Sequence, residues 1–310
     1  MITTVSLNPA IDKTILLTDF ERGGVNRITS YREDIGGKGI NVAKILNRLE
    51  VPSRVCGFIG SQNRTLVADL LSHEYLDYDF IEVDGLTRTN TKIVELDRSI
   101  TTDLNEPGFY INEKLMPRLK EKLLLLARQS DYVVFSGSIP QGLSNETYKD
   151  LITTISNASK AVLDADGPLL VEGMEASPYM IKPNIHELEA AFDISLDSDT
   201  KIISFGKSLA KRYGIHLILV SMGEKGSLLI TENECFQAGP IKVEVKSTVG
   251  AGDSMLAGML YGIHSGLSLD KSLAYAAASG TLAVTKEGTQ SFSLEEVRNM
   301  LLKVHVTKIG

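Results

Sequence analysis

The sequence predicts an α/β fold with a mostly parallel central sheet, helices on both of its faces and a smaller second sheet. Short apolar runs typical of buried strands alternate with amphipathic stretches of helical length, and this alternation indicates a parallel sheet. The strand-like runs cover residues 2–7, 54–59, 132–136, 161–164, 179–182 and 217–221. The helical stretches cover residues 40–49, 65–71, 113–128, 145–155, 202–213, 251–265, 269–286 and 294–303.

Two segments interrupt this alternation, at about residues 13–34 and 80–106. Both have β-type composition and turn residues but no long helical stretch. Each could form a pair of antiparallel strands that leaves the main sheet and returns to it. The pattern alone leaves two interpretations open, a pair of surface hairpins or a small β lid over an active site.

Composition and charge narrow the class of protein. The 310 residues are 43% hydrophobic and 23% charged, which is typical of a globular chain, and we expect one domain over residues 1–310. The net charge of −7 argues against a nucleic-acid binder but leaves room for an anionic small-molecule substrate.

Neither a signal peptide nor an apolar run of membrane-spanning length is recognisable, so we expect no membrane association. The two distant cysteines, Cys56 and Cys235, indicate a reducing, cytoplasmic setting.

The segment STVGAGDSM, residues 247–255, carries the clearest chemical signal. Gly250, Ala251 and Gly252 directly precede a helical stretch. Free backbone N–H groups at a helix N-terminus favour an anion, and glycines let a phosphate oxygen approach them. Asp253 follows immediately, where a carboxylate can accept a proton from a hydroxyl that attacks the bound phosphate. The alternative is an ordinary acidic residue at a helix start, with glycines that serve packing.

A second glycine cluster, IGGKGINVAKIL at residues 35–46, also leads into a helical stretch. Gly37 allows close backbone approach, Lys38 offers a cation, and Asn41 offers hydrogen-bond donors and an acceptor. Asp12 follows the first strand and an Asn-Pro turn, where acids often meet ligands in α/β sheets. These groups suit a polyhydroxylated anionic ligand, although a lone glycine cluster is weak evidence.

Two further motifs follow predicted strands. In KPNIHEL, residues 182–188, the spacing of Asn184 and Glu187 places both side chains on one helix face. That pair could organise a magnesium ion through water, or it could cap the helix. SMGEKG, residues 221–226, could pass beside a nucleotide phosphate or form a simple hairpin turn.

Taken together and in this order, the motifs resemble those of the PfkB branch of the ribokinase-like sugar kinases. The resemblance spans nearly the whole chain, and its most specific part is the last motif. It rests on SLNPAID (6–12), IGGKGIN (35–41), SGSIP (136–140), KPNIHEL (182–188), SMGEKG (221–226) and TVGAGDS (248–254).

The resemblance implies a three-layer ribokinase-like sandwich with a β lid over the sugar site, and MgATP-dependent phosphorylation of a sugar hydroxyl. It implies that Asp253 is the catalytic base and that residues 250–252 form the anion hole. Asn184 and Glu187 match the family's magnesium-associated motif. The positions implied to contact ATP are Lys182, Asn184, Ser221, Gly223, Gly226, Ser247 and Val249, with Ala277 and Thr281 near the adenine.

The opening motif, VNRI at residues 25–28 and TRTN at residues 87–90 resemble the phosphosugar branch of the family. A phosphorylated sugar needs cations for its phosphate, and Arg27, Lys38 and Arg88 are the candidates, with Ser138 placed near the sugar by resemblance. The motif set is most similar to that of 1-phosphofructokinases, which act on fructose 1-phosphate. Tagatose-6-phosphate kinases and 6-phosphofructokinases remain alternatives.

A hypothesis from a different class is a sensor that binds ATP and a sugar phosphate without turnover. The intact Asp253 and its glycines favour an enzyme.

Dimerisation through the lid is common in the family, and exposed strand edges could pair with a partner. The resemblance therefore also predicts a homodimer formed through the lid.

Overall fold

The computed structural model describes residues 1–98, 100–286, 288 and 290–309. Its strands are β1 (Ile2–Ser6), β2 (Ala10–Leu17), β3 (Ser30–Gly36), β4 (Ser53–Gly60), β5 (Asp77–Val83), β6 (Arg88–Glu95), β7 (Ile100–Asn105), β8 (Tyr132–Ser136), β9 (Lys160–Asp164), β10 (Met180–Ile181), β11 (Leu217–Ser221), β12 (Ser227–Ile230), β13 (Cys235–Ala238) and β14 (Val306–Lys308). Its helices are α1 (Lys38–Arg48), α2 (Arg64–His73), α3 (Met116–Ala127), α4 (Thr147–Ile155), α5 (Gly167–Met174), α6 (Ile185–Phe192), α7 (Asp199–Tyr213), α8 (Ala251–His264), α9 (Leu269–Val284) and α10 (Leu294–Leu301).

The large sheet has the strand order β14-β13-β12-β11-β10-β9-β8-β1-β4-β5. The strands from β11 to β5 pair in parallel, which confirms the predicted parallel sheet. Strands β12, β13 and β14 extend it in antiparallel fashion and were not predicted. Gly226, with a positive φ of 96°, allows the tight reversal from β11 into β12.

Helices cover both faces of this sheet, and the side chains of β8 show why. Val133 and Phe135 pack into one apolar core with residues of α3 to α7. Tyr132 and Val134 point the other way, into a second core with residues of α1, α8, α9 and α10. Because alternate residues of a strand face opposite sides, a strand buried on both faces is apolar throughout. The short apolar runs therefore identified these strands correctly.

Strands β3, β2, β6 and β7 form a separate small sheet in that order. Residues 13–34 do form an antiparallel pair, β2 with β3, although β2 begins earlier, at Ala10. The second predicted segment was partly wrong. Residues 80–83 belong to β5 and pair with β4 in the large sheet, whereas β6 and β7 form the hairpin. Parallel pairing of β2 with β6 joins the two hairpins.

Helix α5 was missed because its Gly-Pro start resembles a turn, although proline is well tolerated in the first turn of a helix. The predicted helix at 113–128 begins as a 3-10 turn, Glu113–Leu115, and continues as α3. Within the described ranges, we find no helix with both the length and the apolar character needed to cross a bilayer.

Candidate active site

A cleft of about 560 Å³ lies between the carboxyl ends of the parallel strands and one face of the small sheet. The large sheet contributes the ends of β1, β8, β9, β10 and β11, which is where α/β sheets bind ligands. Most of the predicted site residues line this cleft: Asp12, Gly37, Lys38, Asn41, Arg88, Ser138, Lys182, Asn184, Glu187, Ser221, Val249, Gly250, Gly252 and Asp253.

The start of α8 has the geometry expected of an anion site. Gly250 caps the helix in the left-handed conformation, with φ 76° and ψ 0°, which favours glycine. Gly252 faces the Lys182 ammonium, and a Cβ on Gly252 would lie only 3.2 Å from its Nζ. Helix N–H groups and a lysine cation therefore converge on the same point. Ala251 lies between these two glycines in the first turn of α8.

Asp253 is buried in the first turn of α8, with 7% of its surface exposed. The Asn41 side-chain amide, on α1, donates a hydrogen bond of 2.8 Å to its Oδ2. Burial raises the Asp253 pKa to about 6, and the negative charge of Asp164 adds to the increase. The Asn41 hydrogen bond and two lysines act in the opposite direction. Asp253 is thus a stronger base than an exposed aspartate and is still mostly ionised at neutral pH.

Asp164, at the end of β9, was not predicted, yet it holds the cations of the cleft. Its Oδ1 lies 3.1 Å from the Lys182 Nζ and 3.9 Å from the Lys38 Nζ. The Ser136 hydroxyl donates to its Oδ2 at 3.1 Å. Burial alone would raise the Asp164 pKa, but the two lysines outweigh burial and hold the pKa below its ordinary value. Asp164 could have been predicted from its position at the end of a strand, since Asp12 was selected because it follows a strand.

Asp12 and Arg88 form the side of the cleft that belongs to the small sheet. The Asn90 side-chain amide donates to the Asp12 Oδ1 at 3.1 Å, and burial raises the Asp12 pKa. Arg88 donates from Nη2 to the Asn8 carbonyl oxygen at 3.1 Å and reaches the Ser138 Oγ at 3.5 Å. A carboxylate and a cation therefore face the same space from neighbouring strands.

Asn184 and Glu187 form a capping box at the start of α6. Each side chain accepts a hydrogen bond of 2.8 Å from the other residue's backbone N–H. Both residues also line the cleft, so capping and a ligand role are compatible. The capping bonds use one Glu187 carboxylate oxygen, Oε2, and leave Oε1 for a ligand.

This donor set fits Mg²⁺, which prefers oxygen ligands and keeps several waters. In the part of the chain that the structure describes, no group of three His, Cys, Asp or Glu side chains could hold a metal ion. An ion that is held mainly through water and substrate phosphates needs only a few protein ligands.

Several predicted residues lie outside this cleft. Arg27 lies on the exposed loop between β2 and β3, and the fold does not bring its guanidinium to the sugar side of the cleft in a single copy of the chain. The loop between β2 and β3 is long, and the sequence alone does not predict in which direction such a loop carries Arg27. The other predicted residues that do not line the cleft are Gly223, Gly226, Ser247, Ala251, Ala277 and Thr281. Ala277 packs in the apolar core beside α8, and the predicted adenine contact at α9 stays a prediction.

The small sheet contributes a polar surface that sequence reasoning largely missed. This surface was missed because side chains alternate between the two faces of a strand. The alternation shows which residues face the cleft only when the strand boundaries and the buried face are known. The unpredicted residues of the small sheet that line the cleft are Thr14, Arg32, Asp34, Asn90, Lys92, Asp103 and Asn105. Those of the main body include Ser6, Asn8, Ser136 and Asp166.

Comparison with known proteins identifies the family of the chain. Residues 5–296 match the pfkB family of carbohydrate kinases. The chain is 35% identical to a 1-phosphofructokinase of Borreliella burgdorferi, over 100% of this chain and 99% of that protein. It is 37% identical to a 1-phosphofructokinase of Haemophilus influenzae, over 99% of this chain and 98% of that protein.

A solved structure has the same fold over nearly the full length. Phosphofructokinase-2 from Escherichia coli, in complex with potassium, superposes with a TM-score of 0.92 at 25% identity, over 97% of this chain and 98% of that one. The resemblance inferred from the motifs is confirmed. The chain belongs to the pfkB family of carbohydrate kinases and is an ATP-dependent phosphotransferase that acts on a sugar hydroxyl.

Proposed function

We propose that this enzyme transfers the γ-phosphoryl group of ATP to fructose 1-phosphate and forms fructose 1,6-bisphosphate. The observation that carries this proposal is the buried Asp253, set beside the glycine-rich N-terminus of α8 in a cleft that continues to Asp12 and Arg88. The full-length relatives named 1-phosphofructokinase support the choice of substrate.

Asp253 accepts the proton of the attacking hydroxyl. As the sugar oxygen bonds to the γ-phosphorus, the bond from phosphorus to the ADP oxygen breaks and the hydroxyl proton passes to the carboxylate. Charge spreads over the equatorial phosphoryl oxygens, where the N–H groups of residues 250–252 and the Lys182 ammonium stabilise it. A pKa of about 6 suits this role because the base is ionised at neutral pH and still binds a proton well.

Asp164 keeps the cations in place for this step. Its carboxylate pairs with Lys182 and Lys38 while it is itself shielded from water. Bound Mg²⁺ supplies positive charge that neutralises the phosphate oxygens of ATP. Asn184 and Glu187 would hold that ion through its waters.

On the sugar side, the Asp12 carboxylate accepts hydrogen bonds from sugar hydroxyls. Arg88, Lys38 and Ser138 face the same space and bind the existing phosphate. A neutral sugar would offer these cations no negatively charged group to bind.

A coupled ADP-release assay tests the proposal. The panel is fructose 1-phosphate, fructose 6-phosphate, tagatose 6-phosphate, fructose and ribose, each with MgATP. We expect the highest kcat/KM with fructose 1-phosphate and its loss in Asp253→Asn.

Other outcomes each identify a different error. A preference for tagatose 6-phosphate or fructose 6-phosphate would keep the mechanism and change the substrate. Turnover of only the neutral sugars would overturn the roles given to Lys38 and Arg88. Binding of ATP and sugar phosphate by calorimetry without any turnover would show a sensor.

We also infer that two copies associate through the small sheet. Ile100 and Leu104 lie on its edge strand β7 and expose 48% and 55% of their surfaces. An exposed strand edge with apolar side chains invites pairing. The inhibited form of Escherichia coli phosphofructokinase-2 is tetrameric, so members of this fold do assemble. A monomeric mass by light scattering would contradict the inference.

A further inference from the structure

Side-chain hydrogen bonds fix the point where the chain crosses from the large sheet to the small sheet. Residues 84–87 connect β5, the last strand of the large sheet, with β6 of the small sheet. Thr87 ends this connection and is buried, with 1% of its surface exposed. Connecting segments usually lie on the surface, so the burial of Thr87 needs a specific cause.

Asn63 binds both backbone groups of Thr87. The Asn63 Nδ2 donates to the Thr87 carbonyl oxygen at 2.9 Å, and the Thr87 N–H donates to the Asn63 Oδ1 at 2.9 Å. Two bonds that pair the N–H and the C=O of one residue are the pattern of an antiparallel strand pair. The Asn63 amide therefore takes the place of a neighbouring strand beside Thr87.

This use of Asn63 replaces a more common one. Asn63 occupies the N-cap position of α2, where asparagine is among the most favourable residues, yet its side chain makes no capping bond. The start of α2 therefore does not depend on this side chain. The Asn63 amide serves the crossing between the two sheets instead.

The end of β4 binds the side chain of Thr87. The Gly60 N–H donates to the Thr87 Oγ1 at 2.9 Å. A Cβ on Gly60 would lie only 2.2 Å from the Thr87 backbone nitrogen, so a residue with a side chain does not fit there. We refer to Gly60, Asn63 and Thr87 together as the crossover clamp.

The crossover clamp directly precedes a strand that carries residues of the cleft. Arg88 follows Thr87 and begins β6, and both Arg88 and Asn90 line the cleft, whereas Asn63 and Thr87 do not. Pairing with β2 and β7 holds β6 within the small sheet. The crossover clamp ties the start of β6 to the large sheet, and it therefore fixes where Arg88 and Asn90 lie relative to that sheet.

Arg88 is sensitive to this placement. Its Nη1 and Nη2 donate to the backbone carbonyl oxygens of Glu106 and Asn8, each at 3.1 Å. A shift of about 0.5 Å would take both bonds beyond normal hydrogen-bond distance. A slip of one residue at Thr87 would turn Arg88 and Asn90 to the opposite face of the small sheet, because side chains alternate along a strand.

We propose that Asn63 is a positioning residue of this kinase, which acts through Thr87 to hold Arg88 and Asn90 where they meet the sugar phosphate. This inference rests on the proposed function, which gives Arg88 its role at the sugar. Asp164 and Lys182 lie at the ends of β9 and β10, on the other side of β1 from β4. Loss of the Asn63 amide should therefore weaken sugar binding and leave nucleotide binding intact.

Asn63→Ala tests this division. We expect the KM for fructose 1-phosphate to rise about 10-fold, the order of magnitude for the loss of two neutral hydrogen bonds. The kcat and the KM for MgATP should stay within about twofold of the wild type, because weaker ground-state binding of the sugar appears in its KM.

Asn47→Ala is the matched control. The Asn47 amide, on α1, likewise donates to backbone carbonyl oxygens, those of Glu74 and Tyr75, at the other end of α2. Its loss should leave every kinetic constant unchanged. Equal KM values for the sugar in Asn47→Ala and Asn63→Ala would overturn the proposal.

Thr87→Val and Thr87→Ser give a second test, which holds even if Asn63→Ala does not fold. Valine keeps the branched shape without the oxygen that accepts from Gly60, whereas serine keeps that oxygen. We expect a raised KM for the sugar in Thr87→Val and a nearly wild-type KM in Thr87→Ser. Identical KM values in these two variants would contradict the crossover clamp.

A double-mutant cycle with Arg88→Met separates positioning from general support of the fold. If Asn63 acts through Arg88, Asn63→Ala should raise the KM for the sugar by a smaller factor in the Arg88→Met background than in the wild type. The same factor in both backgrounds would show that Asn63 does not act through Arg88, and the proposal would fail.

Hydrogen exchange tests the crossover clamp without any substrate. If the wild-type enzyme does not phosphorylate fructose 1-phosphate, the proposed substrate is wrong, but the amides of β6 should still exchange faster in Asn63→Ala than in the wild type and Asn47→Ala. Those of β8, far from the crossover clamp, should exchange equally in all three proteins. Equal exchange of the β6 amides in the three proteins refutes the positioning role, whichever sugar the enzyme uses.

Discussion

Two buried aspartates, one lining the cleft and one paired with lysines that line it, have surroundings that give them opposite acidities. Asp253, at the start of α8, has a pKa raised to about 6 because burial disfavours its charge. Asp164, at the end of β9, is even less exposed, yet its pKa lies below the ordinary value. The difference is direct cation contact, since Asp164 lies 3.1 Å from the Lys182 ammonium whereas Asp253 receives its hydrogen bond from a neutral amide, Asn41.

Burial alone therefore does not decide which acid can act as a base. A buried carboxylate that pairs with cations stays ionised and organises charge. A buried carboxylate with neutral partners can take up a proton. Pairs of acids with divergent pKa values mark the division of roles in many active sites.

The largest expected effect comes from Asp253→Asn. Loss of a general base lowers kcat by about 10²–10⁴-fold. The same change should raise the midpoint of thermal unfolding at neutral pH, because it removes a charge that burial disfavours. The sign follows from linkage: a raised folded-state pKa means that stability increases as pH falls through about 6. Activity near that of the wild type would contradict the role of Asp253.

Asp164→Asn should act mainly on stability. It leaves Lys182, which is 5% exposed, buried without its counter-ion, and such a loss costs about 3 kcal/mol. Urea unfolding at neutral pH measures this cost. Asp150→Asn is the control, since its pair with Lys120 on the surface is worth less than about 1 kcal/mol. Equal losses in the two variants would mean that burial of the pair does not matter.

The smallest effects concern the pH profile of kcat/KM. In the wild type, activity should fall as pH drops below about 6, because the base becomes protonated. Asp164→Asn removes a negative neighbour and should move this acid limb to lower pH. Asn41→Ala removes a hydrogen bond to the ionised form and should move the limb to higher pH. An acid limb that is identical in both variants would show that another group titrates.

Much of the fold could be predicted from the sequence because buried parallel strands are apolar along their whole length. The runs at residues 132–136 and 217–221 coincide with β8 and β11. The antiparallel strands β12 to β14 are short, and β14 comes from the far end of the chain. Their pairing depends on contacts that no local pattern reports.

The candidate site likewise contains residues that could be predicted from the sequence and residues that could not. Residues within a motif, such as Asp253 and Asn41, were identified because glycines and a helix start surround them. Asp164 ends an ordinary strand, and its lysine partners are distant in sequence, so only the fold brings them together. Arg27 and Arg88 look equivalent as arginines in β-rich segments, but one lies in an exposed loop and the other on β6.

The central place of β1 has a consequence for biosynthesis. This N-terminal strand lies between β4 and β8, and Ile2 pairs with Tyr132. Strand β2 likewise pairs with β6, with Asp12 and Asn90 separated by 78 positions. As the polypeptide leaves the ribosome, β1 keeps one side without a partner until residues 132–135 have emerged. Such long-range closure slows folding, so the nascent chain passes through a long interval in which β1 is open to aggregation and to capture by chaperones.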